Sequence, residues 1–137
     1  VFFEGDPRRA TLSELTPGAH GFELYADLDV KPADPILIKR RYSAFIQGSS
    51  DIDRHLRDAG IDTVMIVGTL TNVCCESSAR DAMMLNYRLL FVSDANAALS
   101  DAEHNATLGT ILRVFGDVAT TDEAIALLSD KSHERAA

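Results

Sequence analysis

Cysteine is scarce in this sequence, and the two that occur, Cys74 and Cys75, are adjacent. Adjacent thiols exclude a disulfide framework and the spaced pairs of a zinc site, leaving a vicinal disulfide as the rare pairing still open. Basic charge is also short, with 13 Lys and Arg against 21 Asp and Glu and a formal charge of -8. Lys39-Arg40-Arg41 is the only basic cluster. This balance argues against a nucleic-acid binder or an anionic-membrane binder, either of which would need a basic patch. No apolar run is long enough to span a membrane and no signal-peptide pattern opens the chain, so the expected compartment is the reducing cytoplasm. No cluster of metal ligands surrounds His20, His55 or His104, so neither a metal nor a cofactor is expected. Repeats and low-complexity tracts are absent. Residue 1 is Val, and the opening Val-Phe-Phe-Glu-Gly reads like a point inside a chain.

What is present is a chain of 137 residues with 46% apolar content, read as a single domain over 1–137 with a polar tail at 129–137. Its most informative stretch runs from Ile61 to Asp94. Thr63 to Val67 is β-branched and apolar without alternation, the pattern of a strand buried on both faces of a parallel sheet. Gly68 ends it, and Thr69-Leu70-Thr71-Asn72 forms the turn. A helix follows, with Cys75, Ala79, Ala82, Met83 and Asn86 at three- and four-residue spacings. Cys74 falls in its first turn. There the unpaired N–H groups and partial positive charge of the helix start favour a thiolate, which is the nucleophilic form. The same N–H groups can hold the oxyanion formed when a carbonyl is attacked. The competing reading is a small buried hydrophobe, the commonest role of free cysteine.

All four prolines, Pro7, Pro17, Pro32 and Pro35, punctuate residues 1–35, which predicts loops with a short helix near Thr11 to Leu15. Ile36 to Lys39 reads as a short buried strand ending in lysine. Ser49-Ser50-Asp51 caps a helix to Ala59, with Gly60 as stop. His20 and His55 read as solvated. Arg88 to Ser93 is a second strand, and Asp94 at its end reads as a cap. Asp101 to Leu112 reads as a helix, with His104 structural or at a subunit contact. Arg113-Val114-Phe115 is the last strand, Gly116-Asp117-Val118 a turn, and Thr121 the cap of a helix over Asp122 to Leu128. Strands and helices in alternation predict an α/β parallel sheet.

Several of these motifs occur in one order. Lys39 precedes Tyr42-Ser43-Ala44-Phe45, then come Gly68-Thr69-Leu70-Thr71-Asn72-Val73-Cys74, Ala79-Arg80-Asp81-Ala82 and Asp94-Ala95. Pro17-Gly18-Ala19-His20-Gly21-Phe22-Glu23-Leu24 fits the loop leading to the lysine strand. Together they resemble the isochorismatase-like cysteine hydrolases, nearest in flavour to the ureidoacrylate and N-carbamoylsarcosine amidohydrolases. The Asp and His metal cluster of nicotinamidases has no counterpart here.

The resemblance implies a three-layer, Rossmann-like parallel sheet with helices on both faces, whose first and central strand is missing from this sequence. It implies Cys74 and Lys39 as catalytic residues, Lys39 favouring the thiolate. Leu70 and Cys74 would supply the oxyanion hole, with a cis peptide between Thr69 and Leu70. Tyr42, Phe45 and Asn72 are candidate substrate contacts, although aromatics after a strand are more often core. The reaction implied is cleavage of a small amide, carbamoyl or ureido C–N bond through a thioester on Cys74, in a homo-oligomer for which Met83-Met84-Leu85 offers apolar surface. The family's third catalytic residue, an aspartate on the first strand, has no match. We expect the parent protein to carry that strand, because an open sheet without its middle strand leaves backbone groups unpaired. A binding or scaffold subunit that kept the fold without the chemistry is the alternative.

Overall fold

β-branched runs and small-residue helices alternate along this chain, and the architecture follows from that alternation. The computed structural model describes residues 13–134, with the backbone alone for 130–134. The chain divides into two units, one ending at Pro35 and one beginning at Ile36. Within the first, residues 13–35 are successive turns around a 3-10 turn at His20–Phe22, as the prolines and glycines predict. Gly18 adopts φ 90°, open to glycine without strain. Ser13 and Glu14 are helical, while Thr11 and Leu12 of the expected short helix lie outside the described residues.

The second unit runs α1 (Ile52–Asp58), β1 (Thr63–Thr69), α2 (Glu76–Met84), β2 (Arg88–Ala97), α3 (Asp101–Thr110), β3 (Asp117–Ala119) and α4 (Thr121–Glu134). The strands form one sheet in the order β1-β2-β3, and both pairings are parallel. Phe91 of β2 lies between Ile66 of β1 and Val118 of β3. Successive side chains of a strand point to opposite faces. On one face Leu89 and Phe91 pack with Val64, Cys75, Ala79, Ala82 and Ile111. Ile52 and Leu56 of α1 and Leu108 of α3 join that cluster. On the other face Leu90 and Val92 pack with Ala119 and with Ala124 of α4. Helices therefore cover both faces of a parallel sheet, in three layers. Ala79 and Ala82 are fully buried, so α2 lies close on the sheet. Burying Phe91 completely stabilises the fold by roughly 1.5–3 kcal/mol.

Several local expectations are corrected. Ile36 to Lys39 is not a buried strand: it joins no sheet, and Ile36 and Ile38 stay exposed, because an extended segment without a paired neighbour has nothing to bury its side chains. Met65 and Val67 of β1 are exposed as well, since the cluster beneath α4 does not extend to them. Asn86 stands beyond α2 at φ 68°, ending the helix rather than continuing its apolar face. Arg113 to Phe115 is not a strand; it belongs to a π-helical turn at Ile111–Phe115, and the last strand begins at Asp117. Gly116 decides this placement. A Cβ there would lie 2.6 Å from the Leu89 carbonyl oxygen, so only glycine lets the chain pass this close to β2. The cap of α4 is Thr120: its hydroxyl and the Glu123 carboxylate exchange bonds with each other's backbone N–H, a capping box. Thr121 instead donates its N–H and hydroxyl to Asp94 at 2.7 and 2.8 Å, which gives Asp94 its structural role. α4 also runs past Leu128 to Glu134.

Candidate active site

β1 leaves its regular ladder before it ends. Ile66 is opposite Phe91, but Gly68 is opposite Asn96, so β2 makes an excursion there. The Asn96 side-chain amide closes it, donating to the Ile66 carbonyl at 2.9 Å and the Val92 carbonyl at 2.6 Å. Gly68, at φ 122°, turns the chain in a conformation that side chains rarely adopt. The Thr69–Leu70 peptide bond that follows is cis.

The chain then enters a π-helical turn at Thr71–Cys75, which leads directly into α2. The Leu70 carbonyl accepts from the N–H groups of Val73 at 3.1 Å and Cys75 at 3.2 Å. Cys74 sits half-buried on this turn, while Cys75 is 5% exposed in the core. Burial first, and the neighbouring Cys74 second, push the Cys75 thiol up to about 11, against a smaller opposing pull from Lys39. Cys75 is thus held as a neutral thiol, and the small-hydrophobe role belongs to it.

A cavity of about 480 Å³ opens beside the turn, lined by Lys39, Phe45, Thr69, Cys74 and Ser78 together with the length of β1. Lys39 reaches it from a segment remote in sequence, and its Nζ donates to the Arg41 carbonyl at 3.1 Å. Phe45 is 8% exposed, its ring 5.7 Å from that of Tyr87, so it is a core residue that also presents to the cavity. Tyr42 does not share this space. It is 61% exposed and lines a second cavity of about 450 Å³ with Arg41, Arg80, Asp81 and Met84. Asn72 and Leu70 are half-buried and are not among the lining residues, and the Asn72 Oδ1 is buried without a partner.

Ser78 escaped the sequence reading. Its hydroxyl donates to the Cys74 carbonyl at 2.7 Å and accepts from the Ala44 N–H at 3.0 Å, tying the cysteine turn to the segment that follows Lys39. The signal available was a serine four residues after a candidate nucleophile, where a helical hydroxyl bonds back to the preceding turn. Of the Ala79-Arg80-Asp81-Ala82 motif, the alanines pack on the sheet and Arg80 pairs with Glu76 while lying 4.3 Å over the Phe115 ring. Among the described residues no group of His, Cys, Asp and Glu is arranged to hold a metal ion.

A model of the isochorismatase domain matches residues 4–123. The chain belongs to this family. It is 40% identical over 101 residues to the uncharacterized isochorismatase family protein YwoC of Bacillus subtilis, a match covering 74% of this chain and 52% of that protein. With ureidoacrylate amidohydrolase RutB of Variovorax paradoxus it shares 36% identity over 112 residues, 81% of this chain and 44% of the relative. Among solved structures, N-carbamoylsarcosine amidase from Thermoplasma acidophilum superimposes with a TM-score of 0.72 at 31% identity, covering 85% of this chain and 66% of that one. The likeness to the ureidoacrylate and carbamoylsarcosine branch thus extends to both sequence and fold. The chain spans about half the length of these curated relatives.

Proposed function

We propose that this chain carries the nucleophile of a cysteine amidohydrolase that cleaves a C–N bond in a small linear amide or an N-carbamoyl or ureido compound. The observation that carries the reading is the shared cavity: Lys39 and Cys74, from separate segments, line one space large enough for a small substrate. The similarity to a ureidoacrylate amidohydrolase and to an N-carbamoylsarcosine amidase supports the substrate class.

In this mechanism the Cys74 sulfur, as thiolate, attacks the carbonyl carbon and the carbonyl electron pair moves to oxygen. The backbone N–H groups of Leu70 and Cys74 would hold that oxyanion. The tetrahedral adduct collapses, the nitrogen leaves with a proton as ammonia or an amine, and a thioester remains on Cys74. Water attacks the thioester, releasing the acid or carbamate and restoring the thiol. Lys39 supplies positive charge beside the sulfur, and Phe45 an apolar wall. A homo-oligomeric, cytoplasmic enzyme completes the proposal, with the exposed Met84 as apolar contact surface.

One observation favours a second reading, a binding or scaffold subunit: among the described residues no carboxylate lines the cavity to take the thiol proton. Ammonia release from N-carbamoyl amines, ureidoacrylate-like acids and simple amides separates the two. We expect release by the full chain and a loss of at least about 10³-fold in Cys74→Ala, the scale of removing a covalent nucleophile. Release unchanged in the variant would rule out Cys74, and none from either protein would leave the scaffold reading.

A further inference from the structure

Thr71 opens the turn that carries Cys74, and it is one of the few fully buried side chains of the second unit. A buried hydroxyl needs a partner. Here the partner comes from another element: Thr71 Oγ1 lies 2.9 Å from Nδ1 of His104 on α3. Either group can be the donor, depending on which ring nitrogen carries the proton, and the bond holds the same two atoms together in both cases.

α3 is a firm support for this contact. Its start is capped by Ser100, whose Oγ accepts from the Glu103 N–H at 3.3 Å and donates to the Glu103 carboxylate at 2.8 Å. One turn beyond His104, the buried Thr107 donates to Glu76 Oε2 at 2.7 Å. Thr71 and Glu76 flank Cys74 in sequence. The same face of α3 therefore grips the nucleophile turn on both sides of the thiol. The turn gains from such a grip, because its own backbone bonds, from the Cys75 N–H to the Leu70 carbonyl and from the Glu76 N–H to the Thr71 carbonyl, have the less favourable π spacing.

We infer that His104 is a positioning residue: through Thr71 it fixes the turn that presents the Cys74 sulfur and the Leu70 and Cys74 N–H groups to the substrate. This rests on the reading of Cys74 as nucleophile and deepens it. The Thr107–Glu76 bond and the apolar contacts of Leu108 remain when His104 is replaced, so the fold survives while the turn loosens. A misplacement of about 1 Å at a reacting atom costs on the order of 10²-fold in rate.

The test compares His104→Leu, His104→Asn and Thr71→Val in the full chain, on the compound of the amide and carbamoyl panel that releases most ammonia. Asparagine sets a hydrogen-bonding atom near the place of Nδ1. We expect kcat to fall about 10- to 100-fold in His104→Leu and Thr71→Val with KM changed by less than about threefold, and the double variant to be no worse than the weaker single. His104→Asn should recover to within about fivefold of wild type. Wild-type kcat in His104→Leu, or equal losses in His104→Leu and His104→Asn, would overturn the inference. Should His104→Leu fail to fold, Thr71→Val against Thr71→Ser makes the same comparison. If the wild-type chain releases no ammonia, the functional reading fails, and the positioning role is read separately from the rate of Cys74 alkylation by iodoacetamide. That rate should shift at least about threefold in His104→Leu and return toward wild type in His104→Asn; an unchanged rate overturns the inference.

Discussion

Cys74 and Cys75 are neighbours in the chain and both border the cavity, yet Cys74 is half-buried while Cys75 is 5% exposed in the core. The Cys75 thiol is raised from an ordinary 9.0 to about 11 because burial penalises its charged form, with Cys74 adding to the effect. Its folded value lies above its unfolded value, so the neutral thiol is favoured by folding. That contribution is fully present below pH 9.0 and is lost as pH climbs toward about 11. Urea midpoints should therefore hold steady near neutrality and decline across that window, and the decline should be smaller in Cys75→Ala. Iodoacetamide near neutral pH should modify Cys74 well ahead of Cys75, read by peptide mass spectrometry; equal rates would contradict the burial. The strand, glycine turn and helix around Cys74 were legible in sequence as local patterns, whereas Lys39 was marked by the family resemblance and its expected strand did not form. The contacts of Ser78 with Ala44 and of His104 with Thr71 were not legible, since each joins elements that are remote in sequence.

At the scale of elements, Gly116 sets where β3 begins. Gly116→Ala would press its Cβ against the Leu89 carbonyl and side chain, forcing β3 off β2. We expect a loss of roughly 1–3 kcal/mol in urea denaturation, the usual cost of overpacking a tight site. A variant as stable as wild type would mean the strands separate without cost. The residues Arg113-Val114-Phe115 read as a strand because Val114 is β-branched and Phe115 aromatic, yet they continue α3 as a π turn. Sequence periodicity separates a period of 2 from one of 3.6, and a single π turn is too short to show either. The same limit applies to Thr71–Cys75, which reads as the first turn of an ordinary helix.

At the scale of the molecule, Phe91 is the largest fully buried side chain among the described residues, and it stands at the centre of the three-stranded sheet. Phe91→Ala should cost roughly 3–5 kcal/mol, from lost transfer energy and the cavity left behind. Equilibrium denaturation followed by circular dichroism would measure it, and a cost under about 1 kcal/mol would mean that the cluster on the α2 face collapses to fill the gap. By itself the sequence determined the α/β class, the strand–turn–helix at Cys74 and the order of motifs that marks the family, because each is built from patterns among neighbours within a few residues. Only the tertiary structure decided that Lys39 and Cys74 share a cavity while Tyr42 faces another, that Ile36 to Lys39 stays unpaired, and that α3 grips the cysteine turn. Those outcomes depend on which surfaces meet after the chain has folded, and the packing of remote segments selects among arrangements that local pattern leaves equal.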